Sequence, residues 1–401
     1  VTPMLVSPYL RPMRRGESLV FDDGIRGAPC EVGPLEVEVL RALWDDRTAG
    51  AAMTDLVAHR GRDAVVDAIG ALVDQQLVFE THDQARAAFR AALEHRLVEV
   101  PFVDQVELTN ICPMRCRFCP RGVPGAMTRP TGRMDLGLFI GLLDQLPDGQ
   151  AGYRPFELHH LGESLVHPEL PAFVRAAADR GLPTELSVNP SLLAPDTARA
   201  LLDAGLRRLV VSLDGMDDET LVAIRGPAAR YSKAEPNLDA LLAMVAAMDA
   251  PPHVVIQMID LVRNRHQRDA FVGRWGDLGL PTVTAFVKDL DGDDPDTGMP
   301  SARPLSFLCS YPWRSVVVLW DGRVVPCCRD DDARLVLGDL REQSLADIWH
   351  GDEARRLRER LANDDTPAGH LCHGCAWNPN EFASTARARH PDTAGPMPLH
   401  W

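Results

Sequence analysis

Three thiols open the chemistry of this chain. Cys112, Cys116 and Cys119 stand at spacings of x3 and x2 in the run Cys112-Pro113-Met114-Arg115-Cys116-Arg117-Phe118-Cys119. In a loop leaving a strand end, such thiols can point at one soft metal centre. A structural zinc normally wants four protein ligands, and no histidine or fourth cysteine lies between Gln105 and Pro130. Three thiolates suit a [4Fe–4S] cluster with one iron left open for a small-molecule ligand. A second group follows near the C-terminus: Cys309, then Cys327 with Cys328 adjacent, then Cys372-x2-Cys375. Nine cysteines in a chain of 401 residues read as metal or redox ligands before they read as disulfides. Cys30 fits neither group and is expected to be a small buried apolar residue.

The elements that must position these groups alternate. Apolar strand-like runs lie at Val103–Leu108, Phe156–Leu161, Thr184–Val188, Arg208–Leu213, His253–Ile259 and Thr282–Val287. Helical patterns fall between them at Asp135–Leu146, Leu170–Arg180, Pro195–Ala204, Asn237–Met248 and Gln267–Leu278. Six strands with intervening helices imply an α/β fold, a parallel sheet covered by helices. An open doubly wound sheet and a partial barrel both fit, and in either the chemistry belongs at the C-terminal ends of the strands. His159 and His160 fall within the second run and read as structural rather than catalytic. Lys288, Asp289 and Asp260 stand at strand ends, but no catalytic acid or base follows from spacing. Breaks near Pro101, at Leu290–Pro304 and after Asn378 divide the chain into residues 1–98, 99–300 and 301–401.

The first piece carries short β-like stretches, among them Ser18–Phe21 before the turn Asp22-Asp23-Gly24. Three helical patterns follow. Leu35, Val39, Leu40, Leu43 and Trp44 share one face, Thr54–Arg60 is short, and Val65, Val66, Ile69, Leu72 and Val73 repeat at helical spacing. A strand at Gln76–Glu80 closes a layout like that of a winged helix, or of a packing cap on the next domain. The third helix, Arg62–Gln76, carries one basic residue against Asp63, Asp67 and Asp74, which disfavours DNA reading. The whole chain has a formal charge of −15, which repels phosphate backbones and anionic membrane surfaces. No apolar run approaches the ~20 residues that span a bilayer, and no signal stretch opens the chain. A cytoplasmic protein without nucleic-acid or membrane partners is expected.

On the loop Cys112–Cys119, the chain resembles the radical S-adenosylmethionine (SAM) enzymes, whose mark is CxxxCxΦC after the first strand of a partial (β/α)6 TIM-like barrel. The resemblance implies that Cys112, Cys116 and Cys119 hold a [4Fe–4S] cluster, with SAM on the open iron and the Phe118 backbone beside the adenine. SAM is then cleaved reductively to a 5′-deoxyadenosyl radical, which abstracts a hydrogen atom from the substrate. The electron comes from a donor such as flavodoxin or ferredoxin. Leu161-Gly162-Glu163-Ser164 is similar to the family's GGEP segment, with Leu161 and Ser164 departing from it. This implies close backbone approach at Gly162 and a carboxylate at Glu163 for the SAM ammonium. Ser212 and Arg225 are then expected on the SAM carboxylate, Asn189 beside its ribose, and Gln257 as a further contact.

The C-terminal cysteines, the hairpin Val316–Trp320, Asp321-Gly322, Arg323–Pro326, and the helical Leu345–Trp349 resemble the SPASM/Twitch extension. Five cysteines there imply one auxiliary [4Fe–4S] cluster on Cys309, Cys327, Cys372 and Cys375. Cys328 is an alternative to Cys327 or a spare thiol near the substrate, and a structural zinc is the rival to the cluster. The N-terminal layout resembles domains that grip leader peptides. The implied activity is therefore modification of a ribosomal peptide by oxidation, crosslinking or epimerisation. The alternative is two-electron dehydrogenation of a secondary alcohol in an aminocyclitol or sugar, which Cys119-Pro120-Arg121 and Gly132-Arg133-Met134 resemble. A non-enzymatic iron–sulfur sensor would not need Glu163, Ser212 and Arg225 at successive strand ends.

Overall fold

The computed structural model describes residues 5–6, 11–15, 18–22, 30–43, 49–95, 97–288, 309–373 and 375. The turn at Asp23-Gly24, Trp44, Asp289, the break at Leu290–Pro304 and the stretch after Asn378 lie outside these residues.

The N-terminal unit comprises strands β1 (Leu5–Val6), β2 (Arg11–Arg15), β3 (Ser18–Asp22) and β4 (Cys30–Glu31). Helices α1 (Pro34–Leu43), α2 (Ala49–Arg60) and α3 (Arg62–Asp74) and strand β5 (Val78–Phe79) follow. β2, β3 and β4 form one antiparallel sheet, and β1 pairs with β5. The apolar helix faces close a core of Val39, Leu40, Leu43, Val65, Ala68, Leu72, Leu77 and Val78, with Cys30 packed at its edge. Helix α4 (His82–His95) follows. Phe79, Ala85 and Leu93 join the larger core of the next unit instead.

That next unit is a six-stranded parallel sheet in sequence order. Its strands are β6 (Phe102–Val106), β7 (Phe156–Glu157), β8 (Thr184–Val188), β9 (Arg208–Ser212), β10 (His253–Ile259) and β11 (Val283–Lys288). Residues of one parity, such as Leu186, Leu209, Val211, Val254 and Ile256, are buried in the core that the helices share. Those helices are α5 (Leu136–Leu143), α6 (Gln150–Tyr153), α7 (Leu170–Ala178), α8 (Pro195–Asp203), α9 (Asp218–Arg225), α10 (Tyr231–Ala246) and α11 (Arg268–Trp275). The opposite parity carries one polar row in register: Gln105, Glu157, Glu185, Arg208 and His253 are successive partners across five strands.

Two expectations change here. The strand expected over Phe156–Leu161 ends at Glu157. Leu158 N still donates to Glu185 O (2.9 Å), but Ser164 Oγ then donates to Leu158 O (2.8 Å) and the chain turns away. His159 and His160 therefore stand beyond a strand end rather than within a strand. The helix expected from Asn237 begins at Tyr231. Burial of Ala234 and Leu238 in the core outweighs the hydrogen bond that Pro236 forfeits.

The C-terminal piece continues the barrel sheet. Strand β12 (Ser315–Val318) pairs parallel with β6. Beyond it, β13 (Arg323–Val325) and β14 (Gly338–Asp339) add antiparallel, giving nine strands among the described residues. Ser344 caps helix α12 (Leu345–Trp349) through Asp347 N, and α13 (Asp352–Ala362) follows. Among the described residues, no helix is long and apolar enough to cross a membrane.

Candidate functional site

The loop carrying Cys112, Cys116 and Cys119 leaves β6 and is held from two sides. Glu163 N donates to Ile111 O (3.0 Å). Opposite, Arg115 N and Arg117 N donate to Arg225 O (2.8 Å) and Ile224 O (3.1 Å), and Arg117 Nε to Ala223 O (3.0 Å). These are the carbonyls that the end of α9 leaves without helical partners, so the loop finishes the helix and the helix fixes the loop. Glycine is required at both clamps. Gly162 has φ +135°, and a Cβ there would lie 2.1 Å from Thr109 O. Gly226 has φ +86°, and its Cβ would lie 2.8 Å from Arg115 Cβ.

Burial pushes the Cys112 thiol up to about 12, with the neighbouring Glu163, Cys116 and Cys119 adding to the shift. Burial also raises Cys116 and Cys119. Three such thiols ionise together only beside strong positive charge, which an iron–sulfur core supplies, so the donor set fits the cluster. Among the described residues, no three Cys, His, Asp or Glu side chains are drawn together tightly enough for a single ion. Four irons need a wider ring of donors than one ion does.

The pole expected to receive SAM is set by Glu163, which is 4% exposed. Its carboxylate accepts from Asn189 N (2.9 Å) and Leu165 N (3.2 Å). Burial nonetheless carries its pKa up to about 7, those bonds and distant Arg225 opposing. A buried carboxylate held by backbone donors, with no cation bonded to it among the described residues, fits an incoming ammonium. Asn189 lies beside it, its Nδ2 buried and without a partner. Asn189 Oδ1 meanwhile accepts from Ser191 N (2.9 Å). Gln257 Nε2 donates to Ser212 Oγ (3.1 Å), so those two expected contacts are neighbours.

Arg225 is placed differently from the expectation. Its Nε and Nη2 bind Asp214 at 2.6 and 2.5 Å, and Nη1 lies 3.8 Å from Cys116 Sγ. Its guanidinium also stacks 5.3 Å from the centre of the Phe118 ring. Burial disfavours the cation, but Asp214 and Cys116 more than offset that and raise its pKa. The charged fork is thus spent on Asp214, and one nitrogen faces the thiol loop. Sequence reasoning did not single out Asp214, which stands two residues after Ser212.

At the C-terminal thiols, burial raises Cys309, Cys327 and Cys372. Their mutual influence groups them: Cys309 feels Cys375, Cys327 feels Cys328 and then Cys309 and Cys372, and Cys372 feels Cys309 and Cys375. Cys328 has a further set of neighbours. Burial pushes it to about 12, with Asp104, Glu157, Arg329 and Arg154 as its charged neighbours. The chain then turns at Asp330, which accepts from Arg334 N (2.7 Å) and Leu335 N (2.8 Å). Asp332 receives Thr128 Oγ1 (2.6 Å) and Arg129 N (2.9 Å), while Arg129 pairs with buried Glu107 at 2.5 Å. Arg129 Nε also donates to Asp331 O (2.7 Å), so Arg129 joins the cysteine extension to Glu107, one residue past the first barrel strand.

The barrel floor was not foreseen. Glu157 Oε1 takes Arg154 Nη2 (2.5 Å), Glu157 Oε2 takes Gln105 Nε2 (2.6 Å), and Arg208 Nε lies 2.9 Å from Glu185 Oε2. Asp104 is 2% exposed, its Oδ1 making no hydrogen bond. Only the register of four neighbouring strands, β6 to β9, brings these separated charges together.

Residues 106–256 match the family model described as Radical SAM superfamily, and residues 309–376 match SPASM, an iron–sulfur cluster-binding domain. An S-adenosyl-L-methionine-dependent 2-deoxy-scyllo-inosamine dehydrogenase of Niallia circulans is 24% identical over 274 residues, covering 68% of this chain and 91% of that one. A PqqA peptide cyclase of Granulibacter bethesdensis is 23% identical over 291 residues, covering 64% and 76%. The crystal structure of Streptococcus suis SuiB bound to precursor peptide SuiA superposes with TM-score 0.50 at 12% identity, over 88% of this chain and 90% of that one.

Proposed function

Since this chain belongs to the radical SAM superfamily and carries a SPASM domain, we propose that it oxidises a ribosomally made peptide by removing two hydrogens at one position. When bound, SAM and its [4Fe–4S] cluster supply the hydrogen-abstracting fragment. A one-electron donor such as flavodoxin or ferredoxin reduces that cluster. Cys112, Cys116 and Cys119 would hold it, and Glu163, Asn189, Ser212 and Gln257 would seat SAM, with the Phe118 backbone beside the adenine. Cys309, Cys327, Cys372 and Cys375 would hold the auxiliary cluster.

The observation that carries the peptide is the N-terminal unit, which closes a core of its own ahead of the barrel. Barrel and cysteine extension suffice for the chemistry, so this unit has a duty only if a substrate must be held from outside. Leader binding raises the effective concentration of the core peptide at the barrel mouth. The likeness to SuiB spans more of the chain than barrel and extension together. A second reading, dehydrogenation of an aminocyclitol alcohol, is favoured by the match over 91% of the inosamine dehydrogenase.

The test compares the full chain with one starting at Leu77, which keeps the Phe79, Ala85 and Leu93 contacts. Both are given 2-deoxy-scyllo-inosamine and short peptides encoded beside the gene. Peptide turnover that falls at least tenfold on truncation supports the proposal. Undiminished oxidation of the free aminocyclitol by the shortened chain replaces it with the second reading.

A further inference from the structure

In the chain, His159 stands two residues beyond Glu157, where β7 ends, and three before Gly162. Its Nε2 lies 3.6 Å from Glu157 Oε2. The Glu157 carboxylate is fixed by Arg154 on one oxygen and Gln105 on the other. A carboxylate offers no proton, so the imidazole nitrogen facing it is the one that carries hydrogen. The lone pair then belongs to Nδ1, which is buried and without a hydrogen-bond partner among the described residues. A base beside a carboxylate at ion-pair distance, with its free nitrogen in the interior, is the arrangement of a poised proton acceptor.

His160 hangs from the same network, and its Nε2 is likewise buried and without a partner among the described residues. Gln105 donates its amide to Glu157, so its oxygen accepts from His160 Nδ1 (2.9 Å). Burial lowers the His160 pKa to about 3, with Arg129 and His159 adding to the shift. His160 stays neutral and has no carboxylate behind it. The other charged groups around His159 are Glu185 and Arg208 from the neighbouring strands and Arg154 below Glu157.

We propose that His159 Nδ1 accepts the proton released when the substrate is oxidised, with Glu157 steadying the imidazolium. This rests on the two-hydrogen oxidation proposed above. Converting a C–H and an adjacent X–H into C=X releases one hydrogen atom, one proton and one electron. The hydrogen atom goes to the SAM-derived fragment, the electron to an iron–sulfur acceptor, and the proton to Nδ1. The carbon is oxidised, and both acceptors end reduced by one electron each.

Two measurements test this. In the full-length chain without clusters, histidine-selective 15N spectra should show His159, assigned with His159→Gln, with its proton on Nε2. Glu157→Gln should abolish that preference. In the reconstituted enzyme, His159→Gln should still form 5′-deoxyadenosine while oxidised product per 5′-deoxyadenosine falls about a hundredfold. The substrate is whichever of 2-deoxy-scyllo-inosamine or the encoded peptide the full chain oxidises. Glu157→Gln should fall about tenfold, giving a second variant should His159→Gln lose iron or fold. A proton on Nδ1 of His159, or an unchanged product ratio in His159→Gln, overturns the assignment. A native product that has not lost two hydrogens sinks the oxidation reading instead, and the tautomer still judges the His159–Glu157 pair.

Discussion

Replacing Glu163 with glutamine isolates the charge at the SAM pole. The amide oxygen can still accept from Asn189 N and Leu165 N, so the strand-end turn keeps its bonds. What disappears is a charge-assisted bond to an ammonium, worth about 1.5–3 kcal/mol, or roughly ten- to a hundredfold in affinity. The raised carboxyl adds a pH signature. With a pKa of about 7 in the free protein, Glu163 is largely protonated at pH 6 and must lose its proton to receive the cation. SAM affinity should therefore rise about eightfold from pH 6 to pH 7.5 and then level off, with about half a proton released per SAM at pH 7. Anaerobic calorimetry in two buffers of different ionisation enthalpy measures affinity and proton release together. Glu163→Gln should bind more weakly and lose the pH dependence. Equal affinity in the two proteins, or native binding without proton release, would refute the reasoning.

Anaerobic reconstitution should load about eight irons per chain, because seven of the thiols divide as three and four. Replacing Cys112, Cys116 and Cys119 together should halve the iron and abolish SAM cleavage, while Cys327→Ala loses the other half and Cys328→Ala neither. About four irons with one tight zinc would contradict this. Arg129→Met leaves the buried Glu107 carboxylate unpaired and should cost about 3–5 kcal/mol of stability. Adding Glu107→Gln should restore much of that loss, both read by denaturant unfolding. A single-substitution cost below about 1 kcal/mol would show that Glu107 is not held there as a buried charge that needs Arg129.

The sequence by itself determined the parts of this protein that are local. Cys112, Cys116 and Cys119 lie within eight residues, so their spacing is already their geometry. Period-2 and period-3.6 apolar patterns placed β8 and β10 at their observed bounds, and located most other elements to within a few residues. Ser344 and Leu345–Trp349 likewise wrote their own helix start.

Tertiary structure decided what depends on partners distant in the chain. Arg225 could be read as a ligand-binding fork until α9 and β9 brought Asp214 against it. Cys327 and Cys328 are indistinguishable in sequence. In the fold the charges around them differ: Cys309 and Cys372 act on Cys327 besides Cys328 itself, while Asp104 and Glu157 act on Cys328. His159 looked like one more strand residue because apolar neighbours carry the strand pattern to Leu161. Strand register decides which of these side chains share a layer, and the cost of burying a charge without a partner decides which of them must pair. Neither quantity is a property of any short stretch of sequence.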